Sequence, residues 1–164
     1  MRTLLAATAI TILVGSSSGA QTLRVQWDRK VDFSLYQTFS WLEGTAAVDP
    51  TVNELIRQSI ENELSVRGIF PDEAEPDLHV VYHASAQEKF EIAGGYRRDW
   101  EDAAALTVDS HLAGTLVIDL VDAREDRVVW RGTATATVSG NPKKARGRIP
   151  TIIEKMFADF PPGS

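Results

Sequence analysis

The sequence predicts an α+β domain: a two-layer sandwich in which a mainly antiparallel sheet of about five strands carries two helices on one face. Three observations lead there. Several segments alternate apolar and polar residues, the period of a strand with one buried face, while two others repeat apolar residues every three or four positions, the period of a helix with one buried stripe. The 164 residues also contain no cysteine, so no disulfide or Cys-zinc site staples the fold and a hydrophobic core must hold it.

The first twenty residues stand apart. Arg2 is followed by an uncharged apolar run, Leu4 to Val14, and then by the small residues Ser16, Ser17, Ser18, Gly19 and Ala20. That is the layout of a cleavable secretory signal, with Ser18 and Ala20 at the small-residue positions before the cut. The run falls far short of the roughly 20 residues that cross a bilayer as a helix. Removal of residues 1–20 leaves 21–164, a size suited to one domain with one core. The expected address is periplasmic or secreted, and the missing cysteine leaves no site for a lipid anchor. The formal charge of −6 argues against a nucleic-acid binder, which needs a basic face to displace counterions.

Along the mature chain, Leu23, Val25 and Trp27 alternate with polar residues and predict a first strand, and the β-rich Thr38 to Leu42 a second. Thr51 to Arg67 reads as a helix, because Val52, Leu55, Ile56, Ile60 and Leu64 fall on one stripe. Thr51 and Glu54 have capping-box spacing, and Gly68 suits the exit. Asp77 to Ala86 alternates again, with Leu78, Val80, Tyr82 and Ala84 on one face and His79, Val81 and His83 on the other. Gln87 to Ala105, centred on Gly94-Gly95, reads as an irregular loop.

A hairpin follows, with strands Leu112 to Asp122 and Val128 to Val138 joined by a turn at Arg124 to Asp126. Setting Asp119 opposite Arg131 places Leu120 opposite Trp130, Ile118 opposite Gly132 and Leu116 opposite Ala134, all on one face. Thr115 then meets Thr135 and Val121 meets Val129 on the other. Arg148 to Phe160 closes the chain as a helix, with Pro150 in its first turn and Ile149, Ile152, Ile153, Met156 and Phe157 as its apolar stripe. The predicted order is β-β-α-β-β-β-α.

Certain segments carry more individual character: Asp32-Phe33-Ser34 with Tyr36, Thr38-Phe39-Ser40-Trp41, and Pro76-Asp77-Leu78 with Val80 and Tyr82. The most specific are Gly114 to Asp122 and Val129-Trp130-Arg131-Gly132, with Phe160-Pro161-Pro162 at the end. Together they resemble a bacterial envelope family known as domain of unknown function 4136, many of whose members are lipoproteins. The resemblance implies an envelope address and a two-layer α/β sandwich. It implies no activity, and this chain departs from many relatives in lacking the lipidation cysteine.

Candidate sites are few. His79 and His83 share a strand face but lie about 13 Å apart along it, too far to ligate one ion unless the strand bends; His111 could approach one of them from a neighbouring strand. No metal or other cofactor is therefore assigned. Asp119 and Asp122 could form the carboxylate pair of a hydrolase, yet a spacing of three sends them to opposite faces. Asp119 is better read as the structural partner of Arg131, and Asp122 as the residue that opens the turn. No catalytic residue is assigned. Two surfaces suit binding. Phe90, Tyr96 and Trp100 lie among charges in the 87–105 segment, a composition suited to a protein or polymer partner. Lys143, Lys144, Arg146 and Arg148 precede the last predicted helix and suit an anion, which makes a small-ligand or anion carrier the alternative.

Overall fold

Each strand owes its place to the alternation that predicts it, and the computed structural model of the chain describes residues 21–93, 107–139 and 142–160. The elements are β1 (Gln21–Trp27), a 3-10 turn (Phe33–Leu35), β2 (Thr38–Trp41), α1 (Pro50–Ser65), β3 (Phe70–Pro71), β4 (Leu78–Ala93), β5 (Thr107–Asp122), β6 (Arg127–Ser139) and α2 (Pro142–Met156). All six strands join one sheet in the order β1-β6-β5-β4-β2-β3.

The sheet is antiparallel from β1 to β4, whereas β2 pairs in parallel with both β3 and β4. The parallel corner follows from the chain path: α1 lies between β2 and its two partners, and a parallel pairing needs such a crossover. The very short β3 is the strand beyond the expected five. Register in the β5–β6 hairpin runs His111↔Ser139 through Asp119↔Arg131 and Leu120↔Trp130. Beyond Leu120 it shifts, so Val121 pairs with Val128 rather than with the expected Val129. The extra residue is a β-bulge, a local kink with no signature in the alternation.

Three differences from the sequence expectation matter most, beside smaller shifts such as α1 ending at Ser65 and α2 at Met156 rather than at Arg67 and Phe160. α1 begins at Pro50, and its cap is the Asp49 carboxylate, which accepts from the Thr51 N–H at 2.9 Å and the Val52 N–H at 3.4 Å. Asp at the cap with Pro just inside is a strong start, and it displaces the Thr51/Glu54 capping box. The exit at Gly68 does adopt φ +79°, the left-handed region that glycine enters without penalty. α2 begins at Pro142 rather than Arg148, which puts Lys143, Lys144, Arg146 and Arg148 inside the helix and Pro150 in its interior. Pro150 itself is exposed, and lacking an N–H it leaves out one helical hydrogen bond.

The third difference is the largest. Residues 87–93, expected as loop, continue β4, and 107–111 extend β5 backwards, with pairing unbroken from Leu78↔Asp122 to Ala93↔Thr107. Gln, Glu, Lys and Ala are poor strand formers in isolation, so the pairing itself makes this segment a strand. Residues 94–106, which include Tyr96 and Trp100, lie outside the described residues, as do 1–20.

The core lies between one face of the sheet and both helices. Leu78, Val80 and Tyr82 from β4, Ile118 and Leu120 from β5, and Trp130 from β6 meet Ile56, Ile60 and Leu64 of α1 and Ile153 and Met156 of α2, with Phe157 just beyond it. Trp130 stacks on Phe157 with ring centroids 4.7 Å apart at 29°, and Phe160 stands edge-on to both. Arg67 fastens the two helix ends together. It donates to the Phe160 carbonyl at 2.7 Å, to the Phe157 carbonyl, and to the Glu63 carboxylate at 2.7 Å. The Phe160 carbonyl gains a donor in this way, and the Phe157 carbonyl a second beside the Phe160 N–H.

Two glycines mark close approaches. A Cβ on Gly44 would lie 2.1 Å from the Tyr82 carbonyl oxygen, so only glycine lets that loop run against β4. A Cβ on Gly132 would lie 2.7 Å from the Trp130 ring and 3.4 Å from Met156 Cβ. Chemical denaturation should therefore show Gly132→Ala destabilised by about 1–3 kcal/mol through overpacking. Phe157→Ala, which empties the other side of the same indole, should lose about 3–5 kcal/mol.

Candidate functional site

The sheet face away from the helices carries the histidines. His79 Nδ1 lies 2.8 Å from the Ser40 hydroxyl. His83 Nδ1 accepts from the Thr45 N–H at 3.2 Å and lies 3.0 Å from the Thr45 hydroxyl. Each imidazole is thus tied to its own neighbour on the β2 side. The ladder sets His111 opposite Lys89, six residues along β4 from His83 and so roughly 20 Å away. The approach of His111 to either of the other two does not occur. Among the described residues, no group of three or more His, Asp or Glu side chains is placed to hold a metal ion.

The carboxylates are held apart in the same way. Asp119, nearly buried, accepts from Arg131 Nε at 2.6 Å and Nη2 at 2.7 Å. These bonds, and then the negative charge itself, raise the Arg131 pKa further. Asp122 accepts from the Tyr36 hydroxyl at 2.7 Å through one oxygen, and from the Arg124 and Glu125 N–H groups at 2.8 Å each through the other. Burial pushes its pKa up, but those three donors outweigh burial and hold it below the usual carboxylate range. A carboxyl so held is a poor proton donor near neutral pH. Burial first, and then the Asp122 carboxylate, push Tyr36 up.

Asp77 had no assigned role in the sequence, and the structure makes it a lock between strands. Its carboxylate accepts from the Gln37 N–H at 2.9 Å and from the Thr38 N–H and hydroxyl at 3.2 Å each, while its own N–H donates to the Thr38 hydroxyl at 2.9 Å. The Gln37 bond is the main reason its pKa is lowered. The only signal available was its place just before a strand, where a short acidic side chain can hold local backbone.

A sizeable recess among the described residues is apolar and lies elsewhere. A cleft of about 780 Å³ opens between the helix-side face of the sheet, the first turns of α1 and the middle of α2. Its floor is Ala84 and Ala86 on β4, Gly114 and Leu116 on β5, and Ala134 and Ala136 on β6, small at every position but Leu116. Val52 and Ile56 of α1 form one wall, and Ile149 and Ile152 of α2 the other. The rim is the exposed Ala46–Val48 loop and an ion pair in which Arg146 donates to the Asp49 carboxylate. Those two are the charged residues of the lining. The volume lies within the roughly 300–1,000 Å³ of small-molecule sites, and such sites are mostly apolar with a few polar groups.

Of the candidate anion-binding residues, Arg146 therefore stands at the mouth of this cleft, in line with its Asp49 partner; Lys143, Lys144 and Arg148 lie on the same helix. Of the candidate partner-binding residues, Phe90 stands in β4 opposite Ser110. Tyr96 and Trp100 fall outside the described residues.

The family model for a domain of unknown function, DUF4136, matches residues 23–162. No curated protein sequence matches the chain. Among solved structures, a PDZ domain protein from Parabacteroides distasonis is similar at TM-score 0.56 and 18% identity; the match covers 89% of this chain and 37% of that one, so this chain spans little more than a third of that protein. The PelC dodecamer from Paraburkholderia phytofirmans is similar at TM-score 0.52 and 12% identity, over 85% of this chain and 96% of that one. At such identities the likeness concerns the fold alone. Among the described residues, no helix is long and apolar enough to cross a membrane.

Asp77 and Asp122 have lowered pKa values in the folded chain, so the stability they contribute is present above the unfolded value of about 3.9 and is lost as pH falls through their folded values. Denaturation midpoints should be flat from neutral pH down to about 5 and fall steeply below 4. Asp77→Asn should be weaker at pH 7 by about 1–3 kcal/mol and should show a shallower acid limb. An unchanged acid limb would contradict this assignment.

Proposed function

This chain belongs to the DUF4136 family, and we propose that it is a non-catalytic binding module of the bacterial envelope, exported to the periplasm or beyond. The single observation that carries the reading is the contrast between its two kinds of side chain. The polar groups that resemble catalytic parts are each engaged by a separate neighbour, whereas the recess of about 780 Å³ is lined by alkyl groups. Acid–base chemistry needs convergent groups with matched proton affinities. Binding needs apolar surface that another molecule can cover.

The working surface of this reading is the end of the sheet where the cleft opens, together with the β4–β5 extension beyond it. That extension continues the helix-side row of the sheet through the register positions of Phe90, Ile92, Val108 and Leu112, and a row of this composition suits a protein or polymer partner.

Export is supported by the signal-like layout of residues 1–20. N-terminal sequencing of the chain recovered from the envelope should begin at Gln21; an intact Met1 start would contradict the address. A photo-crosslinking residue at Val48, which is fully exposed on the cleft rim, or at Phe90 should trap the same defined adduct in living cells. The same probe at Val66, exposed at the far end of α1, should not. Equal adducts at all three positions, or none at any, would count against a binding surface here.

A further inference from the structure

We infer that the chain pairs with a second copy of itself along the free edge of β1, so that one sheet runs through both copies about a two-fold axis at Val25. The inference goes beyond the binding reading above and does not depend on it.

The sheet ends in two unlike edges. At one end is β3, two residues long and closed by Pro71. A very short edge strand with a proline offers another chain few backbone groups to pair with, which is how natural sheets blunt an edge. At the other end is β1, seven residues long and paired to β6 from Gln21↔Ala136 to Trp27↔Trp130 with no shift of register. It holds no proline and no lysine, and Arg24 is its one charge. Among the described residues, no strand pairs with its outer side.

The phase of the ladder decides which groups are open. The Asp28 N–H donates to the Val129 carbonyl at 2.9 Å, which continues the β1–β6 register by one residue. In an antiparallel pair, alternate residues turn both backbone groups toward the partner strand. Thr22, Arg24 and Gln26 therefore face β6, and Gln21, Leu23, Val25 and Trp27 direct their backbone groups outward. The side chains of Leu23, Val25 and Trp27 lie on the helix side, level with Ala134, Gly132 and Trp130. Leu23 and Val25 are partly buried there, whereas Trp27 is 39% exposed.

What points to a second copy is that β1 complements itself. Outward residues must meet outward residues, so an antiparallel pairing about Val25 sets Val25 opposite Val25 of the second copy and, twice, Leu23 opposite Trp27. The exposed indole gains an aliphatic neighbour. On the uncovered face Arg24 then meets Gln26, again twice. Neither side chain has a hydrogen-bond or ion-pair partner among the described residues, and a guanidinium donating to an amide carbonyl makes a charge-assisted bond. The neighbouring registers fit worse. A shift of two residues one way sets Arg24 against Arg24, like charges directly opposite. A shift the other way sets Leu23 against Arg29 in the turn after β1, and brings Arg24 to an Asp28 carboxylate that Arg127 already holds.

Sedimentation of the chain recovered from the envelope, across roughly 1–100 μM, should show a monomer–dimer equilibrium. Val25→Pro removes an N–H that only the second copy uses. It should weaken the dimer roughly tenfold or more while unfolding near the temperature of the parent monomer. Arg24→Pro removes an N–H that faces β6 and should unfold much earlier. Cysteine reads position independently, since the chain has none of its own. Residues paired in such a ladder lie about 5.5 Å apart between Cα atoms, within disulfide reach. Val25→Cys should therefore be recovered as a disulfide-linked dimer. Leu23→Cys and Trp27→Cys, each about 13 Å from its own copy, should stay unlinked alone and link when the two are co-expressed. This series decides the matter even where a proline variant fails to fold. The inference is overturned if the parent chain stays monomeric throughout, if Val25→Pro dimerises undiminished, or if Val25→Cys links no more readily than a cysteine at the exposed Val66.

Discussion

Trp130 lies flat against Phe157, and most of the architecture can be traced from that contact. The indole sits on β6, the phenyl ring just past the end of α2, and Phe160 and Phe33 extend the aromatic group edge to face. Burying two large rings against each other anchors the chain just past the end of α2. It also dictates the neighbour: Gly132, two residues along β6 on the same face, has no room for a methyl group. Arg67 then ties the end of α1 to the same spot through the Phe157 and Phe160 carbonyls. Away from this anchor, the helix-side row of the sheet drops to small residues. On β5 it passes from Leu120 and Ile118 to Leu116 and Gly114, and on β4 from Val80 and Tyr82 to Ala84 and Ala86. Two helices clamped over the large end and continuing over the small end leave unfilled volume there, and the cleft is that volume. Core and cleft are thus two consequences of one gradient in side-chain size.

The ionic groups do a different job. Asp49 caps α1 and reaches across to Arg146 on α2; Asp77 joins the starts of β2 and β4; Asp122 holds the β5–β6 turn and the Tyr36 hydroxyl; Asp119 clasps Arg131 on the uncovered face of the sheet. Asp49 and Asp122 each accept from groups distant from one another in sequence, and Asp77 and Asp119 each take two or more bonds from one segment on another strand. With no disulfide available, these locks supply the geometric specificity that hydrophobic burial, being non-directional, cannot. The same engagement makes them unsuited to proton transfer.

Legibility in the sequence followed how local the cause was. The stripe of α1, the alternation of residues 78–86 and the hairpin register at Asp119↔Arg131 each rest on spacing within one or two segments, and each can be read without coordinates. The extension of β4 and β5 rests on pairing between segments of low strand propensity, so nothing in residues 87–93 alone announces it. The start of α2 was obscured by Pro150, which suits a first turn, although packing of Ile149, Ile152 and Ile153 carries the helix through it. The cleft was the least legible feature. Ala84, Ala86, Gly114, Ala134 and Ala136 are unremarkable in sequence, and their meaning appears only when three strands set them side by side. Arg146 could be picked out as a cation but not as a rim residue, because its partner Asp49 is distant in the chain.

The sheet beyond the cleft poses a physical demand that links the two parts of the proposed working surface. β6 ends at Ser139 opposite His111, so among the described residues the pairs from Phe90↔Ser110 to Ala93↔Thr107 have no third strand on that side. On the other side, β2 pairs only with Leu78, His79 and Val80, and Thr45 bridges to His83. A two-stranded ribbon is marginal in water unless one face is covered. Its helix-side row continues the cleft floor directly: Ala86 and Gly114 lead on to the positions of Glu88 and Leu112, then Phe90 and Ser110. Whatever covers that row lies end to end with whatever fills the cleft. Any coupling between two such occupants would act on both affinities by equal factors.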